Sequence, residues 1–286
     1  MIRAAMDLRR GATVAGRVLI GTQGWNYAAW VGPFYPEGTR PADMLTRYAE
    51  AFQTVEVDST FYAIPPAKSV RGWAERSPDG FVFALKLPRE ITHDRHLRDA
   101  DAETELFLER ARLLGPKLGP ILVQLGPDFA PSELGALEAF VPSLPRDLRF
   151  AVEVRQERWT RANVLPDLLA LLTEHGVALA LSDGQWLPRE AVLELTAAPT
   201  ADFLYLRWMG PNRDLTDFSH VQVARESEVR EWKDVLDPLL ARGLHVYGYF
   251  NNHYEGHSPA SARELQRMLG QRTVDPREIG EQITLF

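Results

Sequence analysis

Short apolar runs recur along the chain roughly every 30 residues, each followed by a stretch with helical spacing. Eight runs have the length and the β-branched or aromatic content of strands: Val18-Leu19-Ile20-Gly21-Thr22, Val55-Glu56-Val57-Asp58, Phe81-Val82-Phe83-Ala84-Leu85-Lys86, Pro120-Ile121-Leu122-Val123-Gln124-Leu125, Phe150-Ala151-Val152-Glu153-Val154-Arg155, Val177-Ala178-Leu179-Ala180-Leu181, Phe203-Leu204-Tyr205-Leu206-Arg207-Trp208 and His245-Val246-Tyr247-Gly248-Tyr249-Phe250-Asn251-Asn252. Between them, apolar residues fall three and four apart. Met44, Leu45, Tyr48 and Phe52 are one such set, and Val229, Trp232, Leu236, Leu239 and Leu240 are the clearest. Strands that alternate with helices in this way predict an α/β chain, and eight of them predict a (β/α)8 TIM-type barrel as a single domain over residues 18–270. An open doubly wound sheet is the competitor, but no Gly-x-Gly-x-x-Gly turn follows any strand. Residues 1–17 read as a flexible N-terminal tail and 271–286 as a C-terminal tail.

The second run changes the picture, because its apolar residues alternate with Glu56 and Asp58. A parallel strand followed by a helix is covered on both faces. Both carboxylates are then expected to point into a shared interior, where they need cationic or hydrogen-bonding partners. Such partners occur late in the other strands. Lys86, Gln124, Glu153 and Arg155, Asp183, Arg207, Asn251 and Asn252 all sit where a barrel of this kind carries its function, at the carboxyl ends of its strands. Lys86, Arg155 and Arg207 suffice to neutralise three of the four acids. A buried ion-pair network filling the mouth is the structural alternative to a binding site. Apolar side chains fill such a volume more cheaply, and this favours a site. We assign Lys86, Glu153 and Asp183 to catalysis, with Lys86 as base or amine nucleophile and the two acids as general acid and base. Trp25, Glu56, Asp58, His93, Gln124, Arg155, Arg207, Asn251 and Asn252 are assigned to ligand binding. Mixed charge of this kind suits a polar ligand with an anionic group held by arginine. Trp25, Trp159, Trp186 and Trp208, expected at the same rim, would add stacking surface for a sugar or a base.

Composition narrows the partners. Lys+Arg 32 against Asp+Glu 39 leaves a net charge of −7, so no global basic field draws nucleic acid or an anionic membrane. With Cys 0 there is no disulfide, thiolate nucleophile or cysteine-ligated metal. No stretch reaches the roughly 18 apolar residues of a membrane span, and the start lacks a signal-peptide core; a cytoplasmic protein is expected. His93, His253, Glu153 and Asp183 would be the ligands of a metal site, yet no His-x-x-x-His helix or comparable local signature supports one, and no metal is assigned. No Gly-x-Ser-x-Gly elbow or P-loop is present, and no motif names a cofactor.

Gly21-Thr22-Gln23-Gly24-Trp25, Phe34-Tyr35-Pro36, Val55 through Tyr62, Ile91-Thr92-His93, Leu118-Gly119-Pro120, Ala151 through Arg155 and Tyr249-Phe250-Asn251-Asn252 together resemble the YecE-like family, domain of unknown function seventy-two. The resemblance runs from about Val18 to Leu269 and implies a TIM-type barrel. It brings no established reaction and no catalytic residue. Asp58 stands where that family usually has asparagine, and Gln23 where it has a small residue. Separately, Gln282-Ile283-Thr284-Leu285-Phe286 resembles the peptide by which bacterial replication and repair proteins dock on the sliding clamp. Gln282, Ile283, Leu285 and Phe286 would be its anchors, inserted into a preformed groove. The alternative is that they cover an apolar patch on the barrel. Three functions remain open: an enzyme acting on a polar, partly anionic ligand at the mouth, a metal-assisted phosphodiester hydrolase, and a non-catalytic accessory factor brought to the clamp.

Overall fold

All eight runs are strands in the computed structural model, which describes residues 16–211 and 213–280. In chain order the elements are β1 (Val18–Gln23), α1 (Met44–Ala51), β2 (Thr54–Val57), α2 (Ala67–Glu75), β3 (Val82–Lys86), α3 (Asp101–Ala111), β4 (Leu118–Gln124) and α4 (Leu134–Phe140), followed by β5 (Phe150–Glu153), α5 (Leu165–His175), β6 (Ala178–Gly184), α6 (Arg189–Leu195), β7 (Phe203–Gly210), α7 (Glu226–Ala241), β8 (His245–Phe250) and α8 (Ser258–Met268). Every neighbouring pair is parallel, and β1 pairs with both β2 and β8, so the sheet closes into a TIM-type barrel. Among the described residues no helix is long and apolar enough to cross a membrane.

Strand alternation divides the core in two. Val55, Val57, Leu179, Leu181, Trp208 and Phe250 face outward and pack under the helices. The inward set is smaller. Ala84, Ala151, Ala178 and Ala180 leave room for Phe203, Tyr205, Tyr247 and Tyr249, all four from the last two strands. The rings pack in pairs, with Phe203 and Tyr247 at 5.6 Å and Tyr205 and Tyr249 at 5.3 Å between centroids. They fill the barrel to the level of the Thr54 hydroxyl, which lies 2.9 Å from that of Tyr249.

Two expectations need correction. Strand β2 ends at Val57, and Asp58 through Phe61 turn into a 3₁₀ helix, so Asp58 lies at the rim and does not share an inner strand face with Glu56. The turn is held by Thr60, whose hydroxyl bridges to the carbonyls of Val57 and Lys86. Trp159 and Trp208 are fully buried structural rings: Trp159 donates Nε1–H to the Phe129 carbonyl, and Trp208 stacks on Phe250 at 4.2 Å. Residues 271–280 run back over the barrel, with the Gln271 amide on the Val18 carbonyl and Ile279 buried. Gln282, Ile283, Leu285 and Phe286 lie outside the described residues, as do the first fifteen.

Gly210 closes β7 with φ 79°, and a Cβ there would lie 2.3 Å from the His253 carbonyl oxygen. Replacement by alanine combines an unfavourable left-handed backbone with a clash against main chain. Chemical denaturation of Gly210→Ala is expected to show a loss of about 2 kcal/mol or more.

Candidate functional site

The inner face of the barrel changes character one layer above the tyrosines. Glu56, Lys86, Gln124, Glu153 and Arg207 come from β2, β3, β4, β5 and β7, and each is buried. Arg207 is the centre. Its Nε and Nη2 donate to the two oxygens of Glu56 at 3.0 and 2.7 Å, and its Nη1 donates to Glu153 Oε2 at 2.6 Å. Arg155, just beyond β5, donates Nε–H to Glu153 Oε1 at 2.6 Å and Nη2–H to Gln124 Oε1 at 2.7 Å. That same Gln124 oxygen accepts a second bond from Arg207 Nη1 at 3.2 Å. The Tyr205 hydroxyl donates to Glu56 Oε2 at 2.6 Å. Two guanidinium groups thus balance two carboxylates, as an interior of low polarity requires.

Above this layer lies an open cleft of about 330 Å³. Its lining includes Lys86, Arg89, Arg155, Arg207 and Arg213 and one carboxylate, Asp58; Arg155 and Arg207 are already balanced by Glu153 and Glu56, and Arg89 pairs with Asp94 at 3.0 Å. Lys86 points into the cleft with Nζ 3.6 Å from Asp58 Oδ1 and 4.2 Å from the centroid of the Phe61 ring. Tyr62 stands on the rim with 75% of its surface exposed. His93 lies against Phe61 and its Nδ1 is 2.9 Å from the Thr92 hydroxyl. The Gln23 amide oxygen accepts from Asn251 Nδ2 at 2.7 Å, so these two close the side between β1 and β8.

This electrostatic setting moves protons. Burial alone would raise Glu153, but Arg155 and Arg207 overcome it and hold the carboxyl down at about 2. Glu56 is pushed upward by its burial, against Arg207 and with the help of Asp58. Burial lowers Lys86, and Arg207 and Arg155 add to that while Asp58 opposes it. Burial followed by Arg155 and Lys86 takes His93 down to about 4, so its imidazole is neutral at physiological pH.

Of the residues assigned from sequence, Glu56, Gln124, Glu153, Arg155 and Arg207 are joined by hydrogen bonds, and Lys86, Asp58, His93 and Asn251 line the cleft above them. Three others lie elsewhere. Asp183 has the outward parity of Leu179 and Leu181, and its Oδ2 accepts from Trp232 Nε1 at 2.6 Å and Arg189 Nε at 3.3 Å. Asn252 is a scaffold residue: its Oδ1 collects Trp30 Nε1 and both the amide and the hydroxyl of Ser258. Trp25 packs edge-on against Trp73 and Phe83 on the helix side. Trp186 lies beneath the Arg155 guanidinium at 5.4 Å. Glu153 is spent on two arginines and Asp183 faces away, so His93, His253, Glu153 and Asp183 do not form a ligand set. No group of three or more acidic or histidine side chains among the described residues is placed to hold a metal. Tyr62, Arg89, Met209 and Arg213 also line the cleft. Tyr62, Arg89 and Arg213 sit beyond the strand ends, whereas Met209 lies within β7 and has the inward parity of Arg207. Alternation from Arg207 was a signal for Met209, and the other three offered only proximity to a strand end.

The sequence profile of the family described as "Protein of unknown function DUF72" matches residues 19–282. The UPF0759 protein YecE of Escherichia coli K12 is 35% identical over 142 residues, spanning 50% of this chain and 50% of that protein. The UPF0759 protein YunF of Bacillus subtilis is 24% identical over 269 residues, 88% of this chain and 94% of its own. A DUF72 crystal structure from Thermotoga maritima superposes with a TM-score of 0.75 at 25% identity, covering 89% of this chain and all of that one (100%). A second, from Enterococcus faecalis, gives 0.70 at 20% identity over 90% and 97% of the two chains.

Removing Glu153 leaves Arg155 and part of Arg207 buried without a counter-charge, so Glu153→Ala is expected to cost about 3–5 kcal/mol in denaturant unfolding. The His93 ring should titrate near pH 4 by NMR, well below an ordinary histidine at 6.5. Because its folded-state value is the lower one, its contribution to stability is full above pH 6.5 and fades as pH falls toward 4. A midpoint near 6.5 would contradict the electrostatics described.

Proposed function

This chain belongs to the DUF72 family of proteins of unknown function, and we propose that it is an enzyme whose barrel mouth binds a small polar anion and works on it by acid–base chemistry at Lys86. The anion is a phosphate or carboxylate, carried on a molecule of sugar or nucleotide size. One observation carries this reading: the donors that face the cleft exceed the acceptors. Arg155 uses Nε and Nη2 internally, and its Nη1 makes no hydrogen bond among the described residues. Gln124 gives its only acceptor oxygen to both arginines, which leaves its Nε2–H₂ group toward the opening. Lys86 Nζ likewise makes no hydrogen bond, with Asp58 at 3.6 Å. Three nitrogen donors with no acceptors above a charge-balanced floor suit an oxyanion. Tyr62 and Phe61 offer flat surface beside them for whatever the anion is attached to.

Within this reading the acid–base pair is Lys86 with Asp58. Glu153 has both oxygens engaged and no exposed surface, so its work is to hold Arg155 and Arg207 in place. Asp58 is the carboxylate that meets both Lys86 and solvent, with 30% of its side chain exposed. Inorganic phosphate is the simplest probe. It should raise the melting temperature of the protein, and calorimetry should show Arg155→Gln binding it about tenfold or more weakly. A melting temperature that does not respond to phosphate, or equal binding by the variant, would remove the anion from the proposal.

A further inference from the structure

We propose that the Lys86 amine forms a covalent imine with its substrate, which makes the substrate class a small aldehyde or ketone bearing a carboxylate or phosphate. The inference rests on the anion-binding reading of the mouth and adds to it the atom that reacts.

The chain itself separates lysine from arginine. It has four lysines, Lys68, Lys86, Lys117 and Lys233, among 32 basic residues. Three have ordinary settings. Lys68 is exposed, Lys117 donates to the carbonyls of Ala74 and Ser77, and Lys233 pairs with Asp237 at 2.6 Å. Where the barrel interior needs a permanent cation, it carries Arg155 and Arg207. Only at position 86 does it carry a cation that can give up its proton, since a guanidinium stays charged at any physiological pH. A lysine serving as a counter-ion would hydrogen-bond its carboxylate. Lys86 has one face of Nζ on the Phe61 ring and no acceptor within bonding distance, while the cleft lies open to it. Burial, aided by Arg207 and Arg155 and opposed by Asp58 and Glu56, further favours the free amine.

The chemistry balances without a co-reactant. The Nζ lone pair forms a bond to the carbonyl carbon, and the carbonyl π pair moves to oxygen. Asp58 takes the proton released from nitrogen and returns it to that oxygen. A second proton transfer lets the oxygen leave as water, and the C=N bond forms with loss of nothing else. The carboxylate or phosphate of the substrate meanwhile rests on Arg155 Nη1 and Gln124 Nε2. Both residues line the same cleft as Lys86.

Glyoxylate, a small aldehyde with a carboxylate, tests this when added with sodium cyanoborohydride, which fixes any imine as a stable adduct readable by peptide mass spectrometry. Near neutral pH, Lys86 is expected to be modified about tenfold or more faster than exposed Lys68. Inorganic phosphate should slow the reaction at Lys86 and leave Lys68 unaffected. Lys86→Arg, checked for folding by circular dichroism, should lose that adduct alone. Labelling of Lys86 no faster than Lys68 overturns the inference even if phosphate stabilises the protein. Fast labelling that phosphate does not slow upholds the amine chemistry and removes the anion site.

Discussion

A buried guanidinium that spans the barrel governs this structure. Arg207, 1% exposed, reaches from β7 to Glu56 on β2 and to Glu153 on β5, and shares the Gln124 oxygen of β4 with Arg155. Such a charge is tolerated only when its N–H groups are matched, and four of the five are. Matching fixes the register of four strands at one height, because each acceptor must arrive at the same level. Apolar residues would have filled the volume with less constraint. The network leaves a rigid, electrically neutral floor that sets where the next layer of side chains stands.

Above that floor the balance of charge shifts. With Glu56 and Glu153 satisfied by Arg155 and Arg207, Asp58 is the single carboxylate lining the opening, beside Lys86, Arg89 and Arg213. This division assigns the two kinds of acid to different work. The inner pair holds arginines still, while the rim carboxylate is partly exposed to solvent. Phe61 and Thr60 set that rim: the turn they form hangs from the Lys86 carbonyl, so the position of Asp58 follows the strand that carries Lys86.

Much of this was legible beforehand, for a physical reason. Repeating runs of apolar residues are long-range regularities, and eight of them separated by helical spacing admit few arrangements. The inner ring was legible because a carboxylate in a strand covered on both faces demands a partner, and Arg155 and Arg207 were the available ones. Failure came where a local rule was applied one residue too far. Asp58 follows the end of β2, so alternation no longer placed it. Asp183 and Trp208 lie late in their strands, but counting from Ala180 and Arg207 puts both on the helix side, a parity that was there to be used. Asn252 looked like part of a polar pair with Asn251, yet the two neighbours point apart, one to Gln23 and one to Trp30 and Ser258. Arg89 and Arg213 were out of reach because loop conformation, not periodicity, brings them over the mouth.

The tyrosine layer has one more consequence. Tyr205 and Tyr249 cap a tightly filled interior directly beneath Arg207 and Glu56, so the cup is blind and has no back exit. A molecule that entered the cleft would therefore have to leave by the same doorway.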